Sequence, residues 1–415
     1  MPFGSMRHGY TFQAAAGGGG GFNAGWTDFT SSTFAVAPYG VHDSGITIHG
    51  VVNTNQLVGT MFYTESNGGD LPYYIRGFVL DLSDGSINLG TPVSPYNSGT
   101  YGGARYSGSV AAKPGTGEGV TIGVATASYF VRAQGYNITN YSSCNQSTAP
   151  SITFGASQDL FTNGNHLGDG CAIRYVNGTR YVATTRGSDA NRRRSMTWNG
   201  TSLTLEGTLF TIGSSGANFD MAVFEDPGNS LAYGAHHATS DSNANYVNAG
   251  HFSSNSVQQI RNDFYSVAKS GVQVRNHLIN DVAGANRSLV VATTGTDAFA
   301  TARVLTTTDF TSTSGSTFGP ADTSSTNIGN AALSQGINAN EYFAWTLNSS
   351  NFYYSPITVS GTTPTWGTAS GTVGTYTSAV DFASPLHYTD GTNDWFITAV
   401  TTGSAVGAIK AMVKA

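Results

Sequence analysis

The feature that most constrains this chain is a faint internal repeat. A short aromatic or β-branched run that ends in small polar residues returns seven times. It reads GTMFYTES at Gly59–Ser66, TIGVATAS at Thr121–Ser128, RYVATTRGS at Arg180–Ser188 and LAYGAHHATS at Leu231–Ser240. It continues as SLVVATTGTD at Ser288–Asp297, EYFAWTLNSS at Glu341–Ser350 and DWFITAVTTGS at Asp394–Ser404. The average spacing is about 56 residues, within the range of repeat architectures. A second unit of the form Ser-x-Thr/Asn-apolar-Gly follows at a distance, as in SINLGT (Ser86–Thr91), SITFGA (Ser151–Ala156) and SLTLEGT (Ser202–Thr208). One more strand-like run lies between the two units and another precedes the first, as in YYIRGFVLDL (Tyr73–Leu82) and CAIRYV (Cys171–Val176). Four short strands per period, separated by Gly, Asn, Asp and Ser turns, describe one blade of a β-propeller.

The ends of the chain set the blade number. The last repeat supplies three strands, ending in AVGAIKAMVKA (Ala405–Ala415). SSTFAVAP (Ser31–Pro38) carries a fourth-strand signature with no strands of its own before it. The fragments complete one blade, which predicts an all-β, seven-bladed propeller of four-stranded blades. Its ring is closed by the N-terminal strand 31–38 joining the C-terminal blade, so no sheet edge stays open. A β-helix would repeat at a shorter period, and a sandwich has no reason to split a repeat. Residues 28–415 then form a single propeller domain, and residues 1–27, with the Gly17–Gly21 run, form a Gly-rich N-terminal arm.

Composition agrees and excludes other classes. Only 10% of the 415 residues are charged, against about 25% in an ordinary domain, and 53 are glycine. A disordered chain would be charged and poor in aromatics, and a coiled coil would need Glu and Lys in bulk. The net charge of −6 makes nucleic acid an unlikely partner. No apolar run is long enough to span a membrane, and the N-terminus has no apolar core of a secretory signal, so cytoplasmic synthesis is expected. Cys144 and Cys171 have no metal-type spacing and are expected to be free buried thiols, with a disulfide as the alternative. No cofactor or metal is expected.

Few residues point to catalysis. Glutamates are sparse, and no pair reads as the flanking carboxylates of a glycosidase. SDGSINLG (Ser83–Gly90) is a lone, imperfect relative of the Asp-box turn of sialidases, and no nucleophile elbow, zinc-protease or Walker motif is present. Two groups of binding candidates remain. Asp70, Asp189, Asp241 and Asp297 recur just after a second strand, where loops usually meet ligands. They read either as a ring of acceptors for a metal or sugar hydroxyls, or as ordinary turn residues. Arg192, Arg193 and Arg194, with Arg174, Arg180 and Arg186 close by, are the densest charge. On a third strand the triplet alternates faces. It reads either as a clamp for phosphate or carboxylate or as a solvated sheet edge. His236 and His237 are adjacent on a strand, so they face opposite ways and read as ordinary histidines.

The composition, the degenerate blades and the short arm from Phe12 to Phe22 resemble bacteriophage virion proteins, particularly propeller-bearing tail, fibre or capsid-surface components. That resemblance implies a non-enzymatic structural or adhesion component of a virion, made in the host cytoplasm. Its docking arm would use Phe12, Gly17, Gly21 and Phe22 to hold other virion proteins through residues 1–27, and its propeller would be exposed to a partner or a host surface glycan. A free glycan-binding propeller lectin and a propeller-type glycoside hydrolase are the alternatives.

Overall fold

The computed structural model describes residues 22, 25–36, 41–65, 72–95, 108–125, 130–161, 171–186, 190–214, 218–225, 233–240, 247–254, 258–265, 273–279, 286–293, 299–325, 328, 332–348, 350–402 and 406–415. They form seven antiparallel sheets. Blade 1 is Val41–Val52, Gln56–Thr64, Tyr73–Asp81 and Ile87–Leu89. Blade 2 is Gly108–Ala112, Glu118–Ala125, Phe130–Ile138 and Ile152–Phe161. Blade 3 is Cys171–Asn177, Arg180–Arg186, Ala190–Trp198 and Leu203–Ser214. Blade 4 is Asn218–Glu225, Tyr233–Ser240, Val247–Ser253 and Gln258–Arg261. Blade 5 is Gln273–Leu278, Asn286–Thr293, Ala300–Thr307 and Ser316–Phe318. Blade 6 is Ala332–Gln335, Glu341–Asn348, Asn351–Ser360 and Thr363–Trp366. In each of these the strands pair in sequence order. First strands of successive blades pack against one another around the ring, which makes them the innermost strands.

Blade 7 is the shared one. Its first strand is split into Ala379–Phe382 and Leu386–Thr389, both paired with Asp394–Thr402, which pairs with Val406–Lys414. The N-terminus supplies the fourth strand in two pieces. Trp26–Thr30 pairs with Lys410–Lys414, and Phe34–Ala35 pairs with Val406 and Gly407. Closure by an N-terminal strand is therefore as the repeat predicts, but the strand begins at Trp26, ahead of Ser31. The break at Ser31 keeps the ladder satisfied in another way: Ser31 N–H donates to the Ile409 carbonyl at 2.9 Å, and Ile409 N–H donates to Ser31 Oγ at 2.9 Å. The early start is explained by side chains. Trp26 packs edge-on to Trp345 at 6.4 Å and beside Phe396 at 5.6 Å, in the gap between blades 6 and 7. Phe29 lies 6.1 Å from Trp395, in the gap between blades 7 and 1. Asp28 pairs with buried Lys410, which also donates to Thr30 Oγ1 at 2.9 Å.

The hydrophobic core is divided among the gaps between blades. Phe62, Tyr73 and Val79 meet Tyr136 and Ile138 between blades 1 and 2. Ile122 and Phe161 meet Tyr181 and Trp198 between blades 2 and 3. Val182 and Ile212 meet Met221 and Phe252 between blades 3 and 4. Equivalent clusters fill the remaining gaps. Glycine allows large rings to lie flat on the neighbouring sheet. A Cβ at Gly135 would come within 2.2 Å of the Trp198 ring, and one at Gly155 within 2.6 Å. Both cysteines are free and buried, as their spacing suggests. No helix among the described residues is long and apolar enough to cross a membrane.

Removing residues 1–36 should uncover the edge of Val406–Lys414 and empty two gaps of aromatic rings. The truncated chain is expected to lose several kcal/mol of stability and to aggregate. Denaturant titration and light scattering would show this; a soluble ring of unchanged midpoint would contradict the closure.

Candidate functional site

A propeller of this topology has two unlike faces. Second-to-third-strand loops and blade-to-blade connections open on one, here called the upper face. First-to-second and third-to-fourth hairpins open on the other, the lower face. Asp70, Asp189, Asp241 and Asp297 fall between second and third strands of blades 1, 3, 4 and 5, and all four lie outside the described residues. So do Phe12, Gly17 and Gly21. Phe22 is described, and its ring meets Trp395 edge-on at 5.3 Å and Phe29 at 5.7 Å. It belongs to the packing of the closing blade.

Of the arginines in blade 3, only the side chain of Arg186 lies outside the described residues. The triplet sits on a third strand, as expected, and the pleat sends its members to opposite gaps. Arg194 turns toward blade 2, where Nη1 donates to the Leu160 carbonyl at 3.1 Å. Arg193 turns toward blade 4 and is buried at 1% exposure. Arg192 is half-buried. Arg180 forms a two-pronged pair with Glu206, at 2.7 and 3.2 Å, between second and fourth strands of its own blade.

Arg174 has a different role from that of a surface clamp. It lies on the innermost strand of blade 3, 2% exposed, with Nη2 3.1 Å from Asp220 Oδ1 on the innermost strand of blade 4. Its Nε donates to the Met221 carbonyl at 3.1 Å and Nη1 to the Ile173 carbonyl at 2.6 Å. Asp220 in turn accepts from Met221 N–H at 2.6 Å and from Asn276 N–H of blade 5 at 2.7 Å. Ser109 Oγ of blade 2 accepts from Ile173 N–H at 3.1 Å. The reason is that an innermost strand has a neighbour on one edge only. Its other edge presents backbone groups that must find partners when buried. In blades 2 to 5 side chains of the adjacent inner strand meet that need.

Histidines hold other gaps. His49 of blade 1 reaches the Thr116 carbonyl at 2.8 Å through Nδ1 and Tyr136 Oη at 3.0 Å through Nε2, both in blade 2. Between blades 4 and 5 a longer chain runs. His251 Nε2 is 2.9 Å from the Ser312 carbonyl, which can only accept, so Nε2 carries the proton. His251 Nδ1 must then accept from Ser316 Oγ at 2.6 Å, and Ser316 Oγ accepts from Thr307 Oγ1 at 2.5 Å. Thr307 Oγ1 accepts from His236 Nε2 at 2.7 Å, and His236 Nδ1 accepts from Ser288 Oγ at 2.9 Å. With both rings neutral, as burial favours, that one carbonyl fixes the direction of the whole chain. His237 faces the other way, stacked on Phe252 at 6.0 Å.

Burial holds these rings neutral. It lowers His49 to about 4, against the weaker opposing effect of the Thr116 hydrogen bond. It lowers His237 to about 3, with His251 adding repulsion. His236 is pushed well down by burial, then by His251 and His237. His251 is also lowered by burial, partly opposed by its bond to Ser312 and by Asp309.

Sequence reasoning found Arg174, Arg193 and the histidine pair as residue types but missed Asp220, Asn276, Thr307, Ser316 and Tyr233 as their partners. A signal exists: Arg174 and Asp220 are 46 residues apart, and Asp220 and Asn276 are 56 apart, about one repeat.

No protein-family model matches the sequence, and no curated protein matches it. Among solved structures, a protein from Lactobacillus plantarum aligns over 76% of this chain and 82% of its own, at 9% identity and a TM-score of 0.48. Trypanosoma rangeli sialidase in complex with the inhibitor DANA aligns over 90% of this chain and 55% of its own, at 10% identity and 0.42. Penicillium chrysogenum α-L-arabinanase complexed with arabinobiose aligns over 77% of this chain and 93% of its own, at 11% identity and 0.40. No residue and no activity transfers at these identities.

Two outcomes are expected. Arg174→Met leaves a buried carboxylate without its cation and should cost about 3–5 kcal/mol in a urea titration; an unchanged midpoint would contradict the tie. The acid response follows from the histidines. In the unfolded chain they titrate near 6.5, so below that pH the unfolded state binds more protons than the folded one. Stability is full above pH 6.5 and is lost progressively as pH falls toward the lowered folded values. His49 alone accounts for roughly 3 kcal/mol across that window. Urea midpoints equal at pH 7.5 and 4.5 would refute this.

Proposed function

We propose that this chain is a non-enzymatic recognition module, carried on a larger particle by its N-terminal arm. The supporting observation is a polarity in the ring. Trp26 pairs with Lys414, at the end of the third strand of blade 7, so the chain enters the ring at the lower face. The described strand ends that flank Asp70, Asp189, Asp241 and Asp297 in sequence lie at the upper face. Chain entry at one face and second-to-third-strand connections at the other suit a molecule that is anchored on one side and binds on the other.

In this reading residues 1–21 fasten the propeller to a virion, and the upper-face loops meet a partner or a host surface glycan. Four carboxylates among loops of Gly, Ser, Thr and Asn supply acceptors and donors for sugar hydroxyls, and the low net charge of the chain leaves hydrogen bonding as the means of selection.

The reading is tested by removing residues 1–21, ahead of the first described contact at Phe22. The truncated protein should keep its melting temperature and its binding to a glycan array, yet fail to enter particles. Incorporation at the wild-type level would overturn the anchoring role. Asp→Asn changes at 70, 189, 241 and 297 should reduce glycan binding at least tenfold in combination. Unchanged binding, or turnover of a glycoside by the wild-type chain, would overturn the recognition role.

A further inference from the structure

Arg193 is a buried cation without a counter-charge. Strand pairing places it between Thr184 and Phe210, midway along the third strand of blade 3, and its side chain fills the gap toward blade 4. Its guanidinium carbon lies 4.7 Å from the ring centre of Phe210, 4.8 Å from that of Phe252 and 6.0 Å from that of Tyr233. The rings come from two blades and form an aromatic collar. Nη1 donates to Tyr233 Oη at 2.6 Å, and Tyr233 Oη also meets Ser195 Oγ at 2.8 Å.

The rest of the guanidinium is unsatisfied. Nε and Nη2 are buried and have no acceptor. These two N–H groups share one edge of the planar group and form the side-on fork that grips carboxylates and other anions. The ion pairs of the described residues leave Arg193 out. Burial lowers its pKa, and only Tyr233 acts in the opposite direction. Aromatic rings ease the burial of a guanidinium, but they offer the fork no acceptor. An isolated charge in such a place is strongly unfavourable.

We propose that the gap between blades 3 and 4 binds a small monovalent anion, held side-on by Arg193 Nε and Nη2 within the collar of Phe210, Phe252 and Tyr233. Chloride and a simple carboxylate such as formate share the required chemistry: one negative charge, acceptor capacity for two parallel N–H groups, and small size. The anion supplies the charge and both missing acceptors at once. His237, stacked on Phe252, stays neutral above its lowered pKa of about 3 and does not compete.

The test uses the full chain. Thermal unfolding is followed in chloride, bromide, formate and sulfate at matched ionic strength, for wild type and Arg193→Met. Methionine fills similar volume without charge, so the general salt response is common to both proteins. The wild-type midpoint should rise steadily with small monovalent anion, and each tenfold increase above Kd adds one factor of ten to the folding constant. The methionine variant should show none of that excess. Chloride and formate series separate a halide site from a carboxylate site. Crystals soaked in bromide should show an anomalous peak within hydrogen-bond reach of both Nε and Nη2. Identical anion responses in the two proteins, or no bromide at the fork, would overturn the proposal. Should the variant fail to fold, the bromide peak in wild type decides alone.

Discussion

Everything in this molecule depends on filling the narrow gaps between neighbouring sheets. A propeller has no single interior. Each blade contributes one layer to the gap on either side, so the chain must satisfy the same packing problem seven times with different residues. Where one sheet presents a large ring, the facing sheet must be nearly bare, as Trp198 shows against Gly135 and Gly155. That requirement accounts for the glycine content and leaves few positions for Lys or Glu. The closing blade is held by the same means, with Trp26 and Phe29 of the N-terminal strand seated in the gaps on its two sides.

Apolar packing is non-directional and would let sheets slide. Polar ties resist that motion. Arg174, Asp220 and the Asn276 amide join three inner strands, Ser109 joins a fourth, and His49 fixes blade 1 to blade 2. The directional chain from Ser288 to Ser312 does so between blades 4 and 5. The ties are largely buried and so costly to break, and those made through histidine are sensitive to protonation. The ring therefore gains fixed geometry, and its buried histidines, His49 in blade 1 and His236, His237 and His251 in blade 4, make it vulnerable to acid.

Much of this was legible in the linear sequence, because the relevant physics repeats. Strand-turn spacing exposed the four-stranded blade, and the split repeat exposed the closure. Alternation along a strand separated Arg193 from Arg194 and His236 from His237. The candidate site was less legible. Arg174 has the same residue type and local spacing as an exposed arginine, and nothing nearby in sequence reveals Asp220. The start of the closing strand was misplaced for a similar reason: SSTFAVAP has strand-like composition, but Trp26 and Phe29 have the rings that fit the gaps.

The sequence by itself determined the class, the repeat, the number of blades and the manner of closure, since these follow from hydrophobic pattern and turn chemistry counted along one dimension. Only the tertiary structure decided which charges face solvent and which are sealed between blades. That depends on rotation between successive sheets, which brings residues about one repeat apart into hydrogen-bond distance and seals the Arg193 guanidinium among three aromatic rings.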